Sequence, residues 1–220
     1  MTPHCLAPTL AEEQALLAAG YRLIAGVDEA GRGTWAGPVA AAAVVLPLQR
    51  AEVLTALEGV RDSKMLPPHR RAELEARIVD AAVAVGFGLA SAQEIDDLGI
   101  LPATRLAMRR AIANLGIVAE FLLIDAVKLP QETIRQKSIV RGDALCFSVA
   151  AASIVAKVRR DRLMAELDGL YPGYGFARHK GYGTAQHQAA LRALGPCPIH
   201  RRTFAPVRAC LEAPTGSGQP

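Results

Sequence analysis

Leu23-Ile24-Ala25-Gly26-Val27-Asp28-Glu29 is an apolar run of strand length that closes on two adjacent carboxylates, and the fold turns on how it is read. A second run, Phe121-Leu122-Leu123-Ile124, closes on Asp125. A further acid, Asp143 in Arg141-Gly142-Asp143, stands just ahead of the apolar stretch 144–156. Apolar runs of this kind fit strands buried on both faces. Carboxylates in such surroundings are costly unless something positive satisfies them. Three such places in one chain point to a shared cation and to metal-assisted chemistry on phosphates.

The flanking sequence supplies the other elements. Thr9-Leu10-Ala11-Glu12 has the capping-box pattern and opens a helix over 9–19, which Gly20 stops. A strand over 21–28 and an apolar segment over 38–46 are joined by a connection that Gly31, Gly33 and Gly37 punctuate, which favours a hairpin. Helical spacing predicts a helix over 67–84, entered at Pro67-Pro68, and Val83 to Ala90 reads as another strand. Ser91-Ala92-Gln93-Glu94 is a second capping box, followed by a helix over 102–115 and a strand over 119–125. A long helix over 145–169 comes next, then one from Thr184 to Gly195. Strands that first form a hairpin and then alternate with helices predict an α/β mixed sheet flanked by helices. Asp28 and Asp125 fall at C-terminal strand ends, the edge where open α/β sheets bind ligands. Neighbours on a strand point to opposite faces, so Asp28 and Glu29 reach one site only if the strand ends or turns there. Strand-end capping or pairing with arginines is the other reading of these acids.

Composition narrows the class. A chain of 220 residues can bury roughly 70% of its unfolded surface and needs no disulfide or structural zinc. One domain is expected over 1–211, with a disordered tail over 212–220. The longest weakly polar run, 36–48, is too short to span a bilayer and no signal-peptide pattern opens the chain, so no membrane partner and a cytoplasmic location are expected. Cys5, Cys146, Cys197 and Cys210 are scattered and read as free thiols. Residues 1–127 hold 11 Lys/Arg and 15 Asp/Glu (−4), whereas 128–220 hold 14 and 6 (+8). An acidic half and a basic half fit a metal-binding part and a polyanion-binding part.

Gly26-Val27-Asp28-Glu29-Ala30-Gly31-Arg32-Gly33, continuing through Ala36-Gly37-Pro38-Val39, resembles the signature of the type 2 ribonucleases H, specifically bacterial ribonuclease HII. Further segments resemble the same family in the same order, over about residues 22–207. They are Asp62-Ser63-Lys64, Asp125, Gly142-Asp143 leading into Ala150–Val158, Arg160-Asp161, Tyr171–Phe176, His179–Thr184 and Ile199–Phe204. The resemblance implies an RNase H-like five-stranded sheet with a helical C-terminal part that helps bind substrate. It implies an endoribonuclease that cuts RNA·DNA hybrids, and single ribonucleotides embedded in duplex DNA, 5′ to the ribonucleotide, leaving 3′-hydroxyl and 5′-phosphate. It places four catalytic ligands for two Mg²⁺ or Mn²⁺ ions on Asp28, Glu29, Asp125 and Asp143.

The remaining motifs carry physical readings beside the implied ones. Gly31-Arg32-Gly33 lets backbone approach a ribose closely, and the resemblance assigns it to the 2′-hydroxyl; a glycine-rich turn with an exposed arginine is the alternative. Tyr182 matches a tyrosine that packs on the sugar at the deoxyribonucleotide side of a junction. Tyr171, Tyr174 and Phe176, interleaved with basic residues, serve either a nucleic-acid surface or a small aromatic core. Lys64, Ser153 and Lys157 are expected at phosphates, the last two on one helix face. Arg159, Arg160 and Arg162 with Asp161 read either as phosphate contacts or, equally, as a solvated helix end. His179 is either structural or an aid to proton transfer, and His200 is structural. The rivals are ribonuclease HIII (about 20 residues precede the first strand, too few for its extra N-terminal domain), another RNase H-like nuclease acting on DNA, and a non-catalytic hybrid-binding protein. Thr34-Trp35 and Met65 depart from the family pattern. The tail has no clamp-binding motif, and a monomer is expected.

Overall fold

The computed structural model describes residues 7–212. In chain order the elements are α1 (Ala11–Ala18), β1 (Ile24–Ala30), β2 (Val39–Val45), α2 (Ala51–Ala56), a 3₁₀ turn at Ser63–Met65, α3 (Pro68–Ala81), β3 (Ala84–Ala90), α4 (Ala92–Leu98) and α5 (Ile100–Ala113). They continue with β4 (Phe121–Asp125), β5 (Arg135–Ile139), α6 (Gly142–Leu145), α7 (Phe147–Leu170), α8 (Phe176–His179), α9 (Ala185–Leu194) and α10 (Ala205–Glu212). The sheet is mixed and five-stranded, in the order β3-β2-β1-β4-β5. β1, β2 and β3 pair antiparallel, while β4 and β5 run parallel to β1.

Alternation in β2 divides the core. Val39, Ala41, Ala43 and Val45 pack with Ala107, Met108 and Ala111 of α5 on one face. Ala42 and Val44 pack with Ala150, Ile154 and Val155 of α7 on the other, where Leu74 and Ile78 of α3 join them. A side chain at Gly26 would put its Cβ 2.2 Å from the Ser148 backbone, so this glycine lets α7 lie directly against β1. The buried carboxylate of Glu13 on α1 accepts from the Ser148 N–H (2.8 Å) and hydroxyl (2.7 Å), and so caps the first turn of α7 from another element.

Several expectations change. The Thr9–Glu12 capping box does not form: Thr9 is tied by its backbone to Leu145 and Phe147, and Glu12 pairs with Lys137 at 2.7 Å. The Ser91–Glu94 box is present in both directions. The helix expected over 145–169 is α7, Phe147–Leu170, which the extended Cys146 separates from the short α6. β5 had no apolar signature; Arg-Gln-Lys-Ser-Ile is an edge strand of half-exposed residues. β1 does not stop at 28 but pairs with β2 through Ala30. Cys146, Cys197 and Cys210 are free, while Cys5 lies outside the described residues. Of the expected tail only Glu212 is described, and it ends α10. Among the described residues no helix is long and apolar enough to cross a membrane.

Candidate active site

The parallel pairing of β1 with β4 ends at Val27↔Ile124, one residue before the acids, while β1 continues beside β2. That notch is where the carboxylates meet. β4 ends at Asp125 in a tight turn: Ala126 has φ 47°, and the Val127 N–H donates back to the Asp125 carbonyl. One carboxylate oxygen from each of Asp28, Glu29 and Asp125 can be chosen so that all lie within 4.8 Å of one another. Asp28 and Glu29 therefore share a site although the strand runs on between them. The Glu29 N–H turns to Asp28 Oδ1 at 2.7 Å.

Asp143, in the first turn of α6, stands beside this trio and outside its tightest grouping. The Gly142 N–H donates to Asp125 Oδ1 at 2.7 Å, which joins the two segments, and the Asp143 charge is felt at both Asp28 and Asp125. Lys64 Nζ donates to Asp143 Oδ2 at 3.0 Å. Burial alone would weaken the Lys64 ammonium, but Asp143, Asp62 and Asp28 outweigh it and hold its pKa above the ordinary lysine value.

The corner is electrostatically unfavourable as it stands. Burial, then the charges of Glu29, Asp125 and Asp143, push Asp28 well above the usual carboxylate range. Burial raises Glu29 against the opposing pull of Arg32, with Asp125 adding to the rise. Burial raises Asp125 against the Gly142 hydrogen bond, with Asp143 adding to the rise. Glu29 Oε2 is buried and has no hydrogen-bond partner. Clustered hard oxygens, mutual repulsion and an orphaned acceptor fit a divalent cation.

Next to the acids, the 31–38 loop is held from below by two buried arginines. Arg201 donates from Nε to the Gly37 carbonyl (3.0 Å) and from its terminal nitrogens to those of Arg32 (2.9 Å) and Gly31 (2.6 Å). Arg160, with no exposed surface, donates to the carbonyls of Pro38, Ala36 and Lys180 and to Thr34 Oγ1. Burial lowers Arg160 to about 10 and, with Arg160 adding to it, Arg201 to about 9; both stay charged at neutral pH. The solvated-helix-end reading is thus corrected for Arg160, while Arg162 stays exposed. Arg160 is interior, and Arg159 and Arg162 grip the buried Glu75 of α3 at 3.3 and 3.0 Å. A visible sign was available, since position 160 continues the i+3/i+4 row Val149, Ser153, Ala156, Met164, all buried. Arg201 stood in a quoted motif, with nothing in its immediate sequence to mark it as interior.

The other expected substrate residues separate into two groups. Tyr182 is 42% exposed, with Lys157 Nζ 5.4 Å from its ring centre. Both line an open cleft of about 490 Å³ with Arg71, Arg162, Arg178 and Lys180. Ser153 is instead buried, its hydroxyl 2.8 Å from that of Ser63, which places it beneath the 62–64 segment and not at an open surface. His179 is buried with both ring nitrogens engaged by backbone, Nε2 at the Tyr174 carbonyl and Nδ1 at the Gly181 N–H, a structural placement. Tyr174 and Phe176 stack in a small core with His179, His187 and His200, while Tyr171 packs at its edge.

The model of the family described as Ribonuclease HII matches residues 25–207. A ribonuclease HII of Roseiflexus castenholzii is 56% identical over 200 residues, 91% of this chain and 89% of that one. One from Dehalococcoides mccartyi strain 195 is 51% identical over 96% of this chain and 99% of its own. Among solved structures, the ribonuclease H2 of Pyrococcus horikoshii superposes with a TM-score of 0.71 at 28% identity, covering 85% of this chain and 96% of the other.

Proposed function

The chain belongs to the ribonuclease HII family, and on that footing we propose that it cuts a strand 5′ to a single ribonucleotide embedded in duplex DNA, as well as cutting the RNA strand of RNA·DNA hybrids. Ribonuclease H activity and divalent-metal dependence come with the family. The observation that carries the finer reading is the trio Asp28, Glu29 and Asp125, packed within 4.8 Å, beside Asp143. These four side chains would hold two Mg²⁺ or Mn²⁺ ions. When bound, such a pair would supply Lewis acidity to an attacking water and to a departing 3′ oxygen. Cleavage leaves 3′-hydroxyl and 5′-phosphate.

The chain's own residues do the rest. Lys64 holds Asp143 in place, and its largely exposed side chain would contact a phosphate. Gly31-Arg32-Gly33 would read the 2′-hydroxyl. A Cβ at Gly33 would meet nothing within 4 Å, so the fold leaves room there for a substrate to come close. The Tyr182 ring would pack on the sugar following the ribonucleotide, and Lys157 beside it would contact the backbone phosphates. Buried Ser153 would act through Ser63, setting the 62–64 segment.

The test is cleavage of a DNA duplex containing one ribonucleotide, with Mg²⁺, with Mn²⁺ and with EDTA, beside an all-DNA duplex. One cut 5′ to the ribose, absent with chelator and absent on DNA alone, is the expected result. Metal-independent cutting, or equal cutting of the all-DNA duplex, would overturn the proposal.

A further inference from the structure

We propose that Arg160 is a positioning residue that locks the 31–38 loop to the loop carrying Tyr182, so that the ribonucleotide and the deoxyribonucleotide after it are read at one fixed spacing. This rests on the roles given above to those two loops. Arg201 bonds only to the first loop, at Gly31, Arg32 and Gly37. Arg160 bonds to both. Its Nε reaches the Pro38 carbonyl (2.9 Å), and one terminal nitrogen reaches Thr34 Oγ1 (2.9 Å) and the Ala36 carbonyl (3.2 Å). The other terminal nitrogen reaches the Lys180 carbonyl (3.0 Å), two residues before Tyr182.

The two loops also touch directly. The Trp35 N–H donates to the Gly181 carbonyl at 2.8 Å. A Cβ at Gly181 would fall 2.4 Å from the Ala36 carbonyl oxygen, and one at Gly31 would fall 1.9 Å from Arg160 Nε. Lys180 and Gly181 both have positive φ, 54° and 83°, a conformation the surroundings must hold. The planar guanidinium fans several donors from one rigid head, whereas a lysine ammonium is a single point with three. Among the described residues no carboxylate pairs with Arg160; all four of its partners are backbone carbonyls or the Thr34 hydroxyl of the two loops. A residue needed only for packing would not have to be a cation at this depth.

A double-mutant cycle on a single-ribonucleotide duplex tests this, using Arg160→Lys, Thr34→Val and Tyr182→Ala, with melting temperatures recorded for every variant. Thr34→Val removes one acceptor of Arg160, and the hydroxyl's own bonds within the 31–38 loop to the Gly31 and Ala36 carbonyls, without changing the arginine; it keeps the test open if Arg160→Lys does not fold. Arg160→Lys should lower kcat/KM roughly 100-fold, mostly in kcat, the scale of a misplacement of about 1 Å. Thr34→Val should lower it several-fold, with a melting temperature lowered by only a few degrees. In the Tyr182→Ala background most of either loss should vanish, because the spacing no longer matters once one reader is gone. Losses that simply multiply with that of Tyr182→Ala, or Arg160→Lys and Thr34→Val cleaving at the wild-type rate, would overturn the inference alone. Full activity of Tyr182→Ala itself would remove the reading of Tyr182, and the inference with it.

Discussion

The carboxylate corner and the loops beside it lie next to each other and are built on opposite terms. In the corner, like charges are crowded, burial raises the pKa of Asp28, Glu29 and Asp125, and one Glu29 oxygen has no partner. In the loops, two buried arginines spend their donors on seven backbone or hydroxyl acceptors. One region is left incomplete so that a ligand completes it. The other is completed in advance so that it does not move when a ligand arrives.

The contrast can be broken hardest at the corner. Asp125→Asn should cut the cleavage rate by ~10³-fold or more, a loss of about 4 kcal/mol of transition-state stabilisation, while hybrid binding stays nearly intact. The same change relieves repulsion, so the metal-free protein should melt a few degrees higher. Single-turnover cleavage, filter binding and thermal melting in EDTA check the three parts, and retained cleavage would end the metal-site assignment.

The completed region has its own weak point in acid. Burial, with the neighbouring His187, holds His200 at about 4 against an ordinary 6.5. The unfolded chain therefore binds more protons than the folded one between those values. His200 contributes stability that is fully present above pH 6.5 and is lost as pH falls toward 4, by up to ~3 kcal/mol. His187 is lowered as well, chiefly by burial, and adds to the slope. Urea midpoints across this window should fall steeply for the wild-type chain and less steeply for His200→Asn; equal slopes would count against the neutral pair.

The smallest effects sharpen the boundary between the regions. Gly31→Ala meets both a φ of +85° and the Arg160 side chain, and should cost ~1–3 kcal/mol of stability. Gly33→Ala has open space and should change stability by less than ~0.5 kcal/mol, yet still slow cleavage at a ribonucleotide. If both variants lose stability alike, Gly33 is a folding residue and its link to substrate is lost.

The corner was legible because a carboxylate at the end of an apolar run is locally anomalous, and Asp28, Glu29 and Asp125 each carry that mark. The mixed sheet was legible for the same reason, through runs such as Ala36–Leu48 and Phe121–Asp125. β5 was not, because Arg135–Ile139 is an edge strand whose residues alternate in exposure without an apolar face. The arginine brackets were hidden for another reason. Arg201 binds carbonyls more than 100 positions away and no local pattern announces it, whereas the helical row through Arg160 marks its burial but not its partners in the 31–38 loop. The burial of Ser153 was not legible, because its partner, Ser63, lies 90 positions off.

Glu13 gives the first helix a reach out of proportion to its length. A chain shortened to begin at Tyr21 would strip from the Ser148 amide and hydroxyl the one side-chain acceptor that the described residues offer them, at the head of a 24-residue rod. Further along that same rod sit Lys157 and Arg160, so an apparently harmless truncation, remote from the acids, would be felt at the Tyr182 loop they contact.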